Sequence, residues 1–163
     1  MTLVLNNGNI NIENIHFLDS KKNIIIDGNF TKILYSDDDV SINGIYMVCP
    51  IIFNKEDKSI KSTLSFHIHN PSNIDFIKKM AHLENQILQY YNTTSITSKK
   101  INASLYAQLM SGKIKIYSNY IDIDSLQSVI ILKISGVWET NYEIGITYKF
   151  LHSNNVFFKK AFS

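Results

Sequence analysis

A stretch of alternating residues in the last third of the sequence limits the fold of this chain more than any other feature. The segment YEIGITYKFLH at 142–152 alternates with a period of two, and it follows the long strand-like run LQSVIILKISGVWET at 126–140. Because only an extended strand places every second side chain on one face, this period predicts a strand. Thr140-Asn141 lies between the two segments and predicts the turn of a β-hairpin. The sequence therefore predicts an antiparallel hairpin whose first strand is broken at Gly136.

Four further segments have the composition or the alternation of strands. They are FTKILY at 30–35, VSINGIYMVCPIIF at 40–53, IKSTLSFHI at 60–68 and KIKIYS at 113–118. Asp37, Asp38 and Asp39 predict a turn after the first of these, because Asp side chains accept bonds from nearby backbone N–H groups. Asn43-Gly44 predicts a bulge or a tight turn within the second. Residues 1–29 predict short strands, or a hairpin, that pack on the domain.

One long helix is predicted at about 72–91, between the third and fourth core strands. Apolar side chains at spacings of four and three residues share one face of this helix: Phe76, Met80, Leu83, Ile87 and Tyr90. Pro71 suits the first turn, with Asn70 or Ser72 as the N-cap. The segment INASLYAQLMSG at 101–112 has the pattern of a short second helix.

This order of elements predicts a β-rich α+β fold. Three strands, a helix and three more strands are the order of a small antiparallel barrel of the OB type, although a β-sandwich with an inserted helix has the same order. The domain is predicted to span 30–152. Residues 1–29 form the segment that packs on it, and 153–163 form an aromatic, basic tail.

The single cysteine and the lack of an export signal predict an intracellular location. It contains 163 residues, of which 45% are hydrophobic, so a single domain with a substantial core is expected. Cys49 is the one cysteine and lies in an apolar run, which favours a core position and excludes an internal disulfide. The N-terminus lacks the basic and apolar regions of a signal peptide, and no segment approaches the length of a transmembrane helix. We therefore expect an intracellular protein that is neither secreted nor attached to a membrane.

The sequence contains no motif that indicates catalysis or a cofactor. Phosphate-binding loops, dinucleotide-binding fingerprints and nucleophile elbows are all missing. His67 and His69 have the spacing of two ligands on one strand face, but the sequence indicates no third ligand for a metal. We therefore expect no enzyme, no cofactor and no metal site.

Lysines interleaved with aromatic residues give the clearest indication of function. Alternation places Lys113, Lys115 and Tyr117 on one face of a strand, and Trp138 lies across the hairpin from Tyr148 and Lys149. Nonspecific binders of single strands combine a cationic groove with aromatic rings that stack on bases. The three lysines are candidates to neutralise phosphates, and the aromatic residues are candidates to stack: Tyr117, Trp138 and Tyr148. Trp138 beside Gly136 is equally compatible with a core position.

Two segments, 30–48 and 132–150, resemble the paired motifs of a protein family of large eukaryotic DNA viruses. The second is the more distinctive, and it contains Gly136, Trp138, Glu139, Gly145, Tyr148 and Lys149. That family in turn resembles the phage-type OB-fold single-stranded-DNA-binding proteins. The resemblance implies a sequence-nonspecific single-stranded DNA-binding protein of viral replication or recombination, located in the host nucleus or cytoplasm.

The tail departs from the phage-type pattern. Those proteins usually end in an acidic segment that recruits polymerase, whereas the tail here reads FFKKAFS at 157–163. This puts tail-mediated recruitment in doubt and leaves a second hypothesis open, a viral structural or assembly protein whose β-domain contacts other subunits. The expected partners are single-stranded DNA, with RNA left open, a second copy of the chain, and replication or assembly proteins that bind the tail.

Overall fold

A computed structural model of the protein describes residues 2–5, 10–54, 63–116, 129–153 and 156–158. Its strands are β1 (Thr2–Val4), β2 (Ile15–Phe17), β3 (Lys21–Lys22), β4 (Asn29–Ser36), β5 (Ser41–Asn43), β6 (Ile45–Val48), β7 (Thr63–Ser65), β8 (Lys100–Ile101), β9 (Lys113–Lys115), β10 (Val129–Glu139), β11 (Glu143–Ser153) and β12 (Val156–Phe158). Its helices are α1 (Pro71–Thr94) and α2 (Ser104–Met110). Neither helix combines the length and the hydropathy that a membrane-spanning helix needs.

The predicted hairpin is present as β10 and β11, and it forms the centre of the main sheet. The path through this sheet is β2-β4-β10-β11-β8, with all neighbours antiparallel except β11 and β8. The predicted break is a β-bulge, because the register between β10 and β11 shifts between Ile134 and Gly136. The Thr140 hydroxyl accepts bonds from the N–H groups of Tyr142 and Glu143, which closes the hairpin turn.

The sheet curls because β10 pairs with two different parts of the chain along one edge. Residues 29–32 of β4 pair with β10, whereas residues 34–36 pair with β5. Gly44, at φ +91°, then redirects the chain so that β6 pairs with residues 131–134 of β10. The result is a curled half-barrel in a β-rich α+β fold. Two small sheets accompany it, one formed by β1 and β12 and one by β7 and β9.

Helix α1 covers the inner face of the curled sheet. Asn70 caps it by accepting a bond from the Ser72 N–H at 3.0 Å, and Pro71 occupies the first position. The predicted apolar stripe is buried except for its last member, because Tyr91 rather than Tyr90 turns into the core. The helix also extends to Thr94, beyond the predicted end.

The short helix α2 packs between α1 and the hairpin. Glu84 of α1 is buried, and its two carboxylate oxygens accept bonds from the N–H groups of Leu105 and Tyr106 at 2.9 Å each. These N–H groups begin a helix and have no partners within it, so the Glu84 carboxylate acts as a cap supplied by another helix. Gly112, at φ +71°, follows the end of α2.

Cys49 lies in the core, as its apolar surroundings in the sequence predicted. The residue is 5% exposed, and burial raises the pKa of its thiol to about 12. Because thiol reagents attack the thiolate, we expect no labelling of the folded protein by iodoacetamide at pH 8 and complete labelling in urea. Labelling at the same rate in both conditions would contradict this placement.

Candidate nucleic-acid interface

The two faces of the hairpin differ in the side chains that they carry. On β11, Ile144, Ile146 and Phe150 are buried on the inner face against the core. Lys149 is exposed on the opposite face, which we call the outer face of the sheet. On β4 the buried residues alternate in the same way, so that Phe30 and Lys32 also lie on the outer face.

Three lysines and a tyrosine form a row across the outer face. Lys133 of β10 pairs directly with Lys149 of β11 on one side and with Tyr46 of β6 on the other. Ile116 forms a parallel bridge with Phe150, and both side chains are buried. The residues that precede them, Lys115 and Lys149, therefore lie side by side on the outer face. We call Lys115, Lys149, Lys133 and Tyr46 the lysine row.

The lysine row concentrates positive charge. The ammonium group of Lys133 lies 5.1 Å from the centre of the Tyr46 ring, in the position of a cation–π contact. In the described part of the chain, neither Lys133 nor Lys149 forms an ion pair with a carboxylate. Like charges on directly opposed strand residues repel each other, so the row destabilises the free sheet and favours a polyanionic ligand.

Two aromatic rings lie farther along the same face. Trp138 pairs with Phe30 on β4 and with Gly145 on β11. A Cβ atom at Gly145 would come within 2.4 Å of the Trp138 indole, and one at Gly136 would come within 2.7 Å of the Phe30 ring. Each ring therefore lies against a glycine of the neighbouring strand. Lys149 lies four positions after Gly145 on β11, which corresponds to about 13 Å between Trp138 and the lysine row.

Two clefts border this aromatic pair. The first, which we call the outer cleft, has a volume of about 570 Å³ and is lined by Phe17, Leu18, Asp19, Lys21, Phe30 and Lys32. The second has a volume of about 310 Å³ and places Trp138 beside Ile25 and Ile26. Basic and aromatic side chains thus lie together in the outer cleft, whereas the second cleft is apolar around Trp138 and contains Glu143.

The predicted site residues fall into three groups. Lys113, Lys115, Lys149 and Trp138 lie on the outer face, where the exposed Lys113 and Lys115 flank the buried Ile114. Tyr148 lies on the inner face, and its hydroxyl donates to the Gln108 side-chain oxygen of α2 at 2.7 Å. It cannot contact a strand bound beside Lys149, because adjacent residues of one strand point to opposite faces. Tyr117 lies outside the described residues.

Sequence reasoning missed five residues of the outer face: Lys21, Phe30, Lys32, Tyr46 and Lys133. Lys133 was detectable as the one charged residue in the run VIILKIS, and Tyr46 as the one polar ring in IYMVCPIIF. Their convergence was not detectable, because it depends on the pairing of β6 with β10.

A third cleft lies on the inner side, where α1 ends near the hairpin turn, and we call it the helix-end cleft. Its volume is about 690 Å³, and Phe17, Tyr90 and Tyr91 supply aromatic walls. The Tyr91 hydroxyl donates to Glu139 Oε2 at 2.8 Å, and Lys99 Nζ donates to Glu139 Oε1 at 2.9 Å. Burial favours a higher pKa for Glu139, but the bonds from Lys99 and Tyr91 outweigh it and lower the pKa.

The predicted histidine pair does not lie on a strand. Strand β7 ends at Ser65, and the exposed His67 and His69 fall in the turn that leads into α1. Within the described ranges, no group of three or more His, Cys, Asp or Glu residues is placed to hold a metal ion.

Comparison of the chain with models of known protein families, with curated proteins and with solved structures finds no match.

Proposed function

We propose that this protein binds single-stranded DNA without sequence preference through the outer face of its curled sheet. The lysine row carries the proposal, because it sets cationic side chains side by side on adjacent strands, and no carboxylate among the described residues neutralises Lys133 or Lys149. A phosphate backbone is the ligand that such a row favours. The chain acts as a binding protein and not as an enzyme.

The chemistry of the row matches nonspecific binding. All cationic contacts come from lysine, because the sequence contains no arginine. A lysine ammonium neutralises a phosphate as a point charge and lacks the planar fork with which arginine reads guanine. Trp138 and Phe30 would stack on bases about 13 Å farther along the sheet, and each stacked base contributes roughly 1–3 kcal/mol.

We also propose that the curled sheet is an OB-like barrel. Strand β4 pairs both with β5, which follows it in the chain, and with β10, and β10 also pairs with β6. This pairing supports the assignment, because it curls the sheet through strands that are distant in sequence. The assignment is also supported by the helix α1, which lies between β7 and the later strands. A protein of viral replication or recombination remains the role that we propose from the sequence resemblance.

Charge reversal in the lysine row tests the proposal. We expect the double variant Lys133→Glu and Lys149→Glu to bind a fluorescent oligo-dT about 30-fold more weakly at low salt, a loss of roughly 2 kcal/mol. The measurement is fluorescence anisotropy over a range of salt concentrations. For the unmodified protein we expect log K to fall with log salt at a slope of about −0.7 per phosphate contacted.

The control is a second double variant that has the same net charge as the Lys133→Glu and Lys149→Glu variant. Lys78→Glu with Lys79→Glu makes the same change in net charge on the exposed surface of α1, away from the outer face. We expect this control to lower affinity less than about threefold, since only screened long-range attraction is lost. Equal losses in both variants would show that net charge, and not the lysine row, determines binding.

One observation favours the second candidate, a subunit-interaction protein. Ile24 and Ile25 are 98% and 89% exposed at the tip between β3 and β4. These two residues are neighbours in the chain, and contiguous exposed apolar surface marks contacts with other proteins. The tail residues Val156–Phe158 already pair with β1 as β12, so this part of the tail is not a free docking peptide. A salt-insensitive oligomer together with no oligo-dT binding would favour this candidate.

A further inference from the structure

The helix-end cleft has the dimensions and the walls of a site for a planar ligand. The Phe17 ring centre lies 5.4 Å from that of Tyr90 and 5.0 Å from that of Tyr91, and all three residues line the cleft. A volume of about 690 Å³ falls within the range of small-molecule sites. Flat aromatic walls favour a ligand with its own π-face.

The polar groups of this cleft determine which ligand atoms it would accept. Because the Tyr91 hydroxyl donates to Glu139, the Thr31 hydroxyl must donate to Tyr91, with 3.0 Å between the two oxygens. The Lys99 ammonium donates to Glu139 and, at 2.7 Å, to the Thr140 carbonyl oxygen. An ammonium group carries three N–H donors, so one remains for a ligand. The network thus offers a cationic donor and matches a ligand carbonyl oxygen.

The helix-end cleft adjoins the proposed DNA-binding face. Phe17 and Leu18 line both this cleft and the outer cleft, which also contains Lys21, Phe30 and Lys32. A strand on the outer face that passes Lys32 would need to cross only Leu18 for one of its bases to enter the helix-end cleft.

We infer that the helix-end cleft binds one unstacked nucleobase of the bound strand and prefers bases with a carbonyl oxygen, such as thymine, over adenine, which has none. The base stacks against the aromatic wall that Phe17 and Tyr90 form together, and its carbonyl oxygen accepts a hydrogen bond from the third N–H of Lys99. This inference rests on the proposed function, because the strand must first lie on the outer face. It adds a base preference that the lysine row cannot supply.

Photocrosslinking tests the position of the base. The probe is an oligo-dT in which one thymine is replaced by 5-iodouracil, irradiated in complex with the unmodified protein. We expect adducts on Tyr90, Tyr91 or Phe17, identified by mass spectrometry of the digested protein. Crosslinks confined to outer-face residues such as Trp138 would overturn the inference and leave the proposed function in place.

Blocking the cleft tests the base preference. Thr94 is exposed and lines the cleft, so Thr94→Trp places a bulky side chain in its mouth without removing a core contact. We expect this variant to bind oligo-dT about tenfold more weakly, with oligo-dA affected less than twofold. Asn85→Trp, on an exposed position of the same helix, is the control and should change neither affinity.

The outcomes separate the two proposals. Unchanged oligo-dT affinity in Thr94→Trp, or an equal loss with oligo-dA, would overturn the base site alone. If the unmodified protein binds neither oligonucleotide at low salt, the proposed function fails and the base site fails with it.

Discussion

Replacing Glu84 with alanine is expected to lower the free energy of unfolding by about 3 kcal/mol. The carboxylate is buried, and it accepts the N–H groups that begin α2. Alanine would leave the N–H groups of Leu105 and Tyr106 without their acceptor and open a void between the helices. Urea denaturation followed by circular dichroism measures the loss.

The stability that Glu84 contributes should also depend on pH. Burial raises the pKa of this carboxyl above its usual 4.5, against the opposing effect of the two N–H donors. A raised pKa means that the folded state binds the proton more tightly than the unfolded state does. The resulting stabilisation is complete below pH 4.5 and disappears as pH rises through the raised value. The free energy of unfolding of the unmodified protein, relative to that of Glu84→Gln, should therefore increase as pH falls from 8 to 5.

Asp75 provides the comparison on the same helix. It is exposed and pairs with Lys79 at 2.9 Å, so Asp75→Ala should cost no more than about 0.5 kcal/mol. Similar losses for Glu84→Ala and Asp75→Ala would show that Glu84 does not hold α2 in place.

Replacing Gly136 with alanine is expected to destabilise the protein by about 3 kcal/mol or to prevent folding. A Cβ atom at this position would lie 2.3 Å from the backbone oxygen of Thr31, in the paired strand β4. Backbone atoms of a paired strand cannot move aside without breaking the pairing of β4 with β10. Thermal unfolding of the purified variant measures the effect.

Gly145→Ala is the matched substitution on the neighbouring strand. Its Cβ would meet the Trp138 indole at 2.4 Å and not a backbone atom, so the side chain can shift to make room. We expect a smaller cost, about 1 kcal/mol, together with a change in Trp138 emission. A greater loss of stability in Gly145→Ala than in Gly136→Ala would contradict the close approach of β4 to β10.

The elements whose periodic pattern continues over many residues were predictable from the sequence. The alternation of 142–152 and the stripe on α1 each extend over several turns or residue pairs, so local pattern was enough to identify them. The partners of each strand were not predictable in this way. The pairing of β6 with β10 depends on contacts between residues about 90 positions apart, and no local pattern encodes such contacts.

The candidate site was predictable only in part, and the bulge in β10 explains why. Lys133 and Trp138 are five residues apart, an odd number that would place them on opposite faces of a regular strand. The extra residue between Ile134 and Gly136 shifts the alternation of side chains by one position, so Lys133 and Trp138 both lie on the outer face. No bulge lies between Tyr148 and Lys149 on β11, so these two neighbours point to opposite faces and Tyr148 lies on the inner face.

The central position of the hairpin determines the order in which this protein can fold during synthesis. Strands β4, β6 and β8 all pair with β10 or β11, which the ribosome produces only after more than a hundred earlier residues. Until residues 129–153 emerge, the buried residues of β4, β6 and α1 lack the part of their common core that β10 and β11 supply. The nascent chain therefore passes through a long interval in which exposed apolar surface and unpaired strand edges favour aggregation.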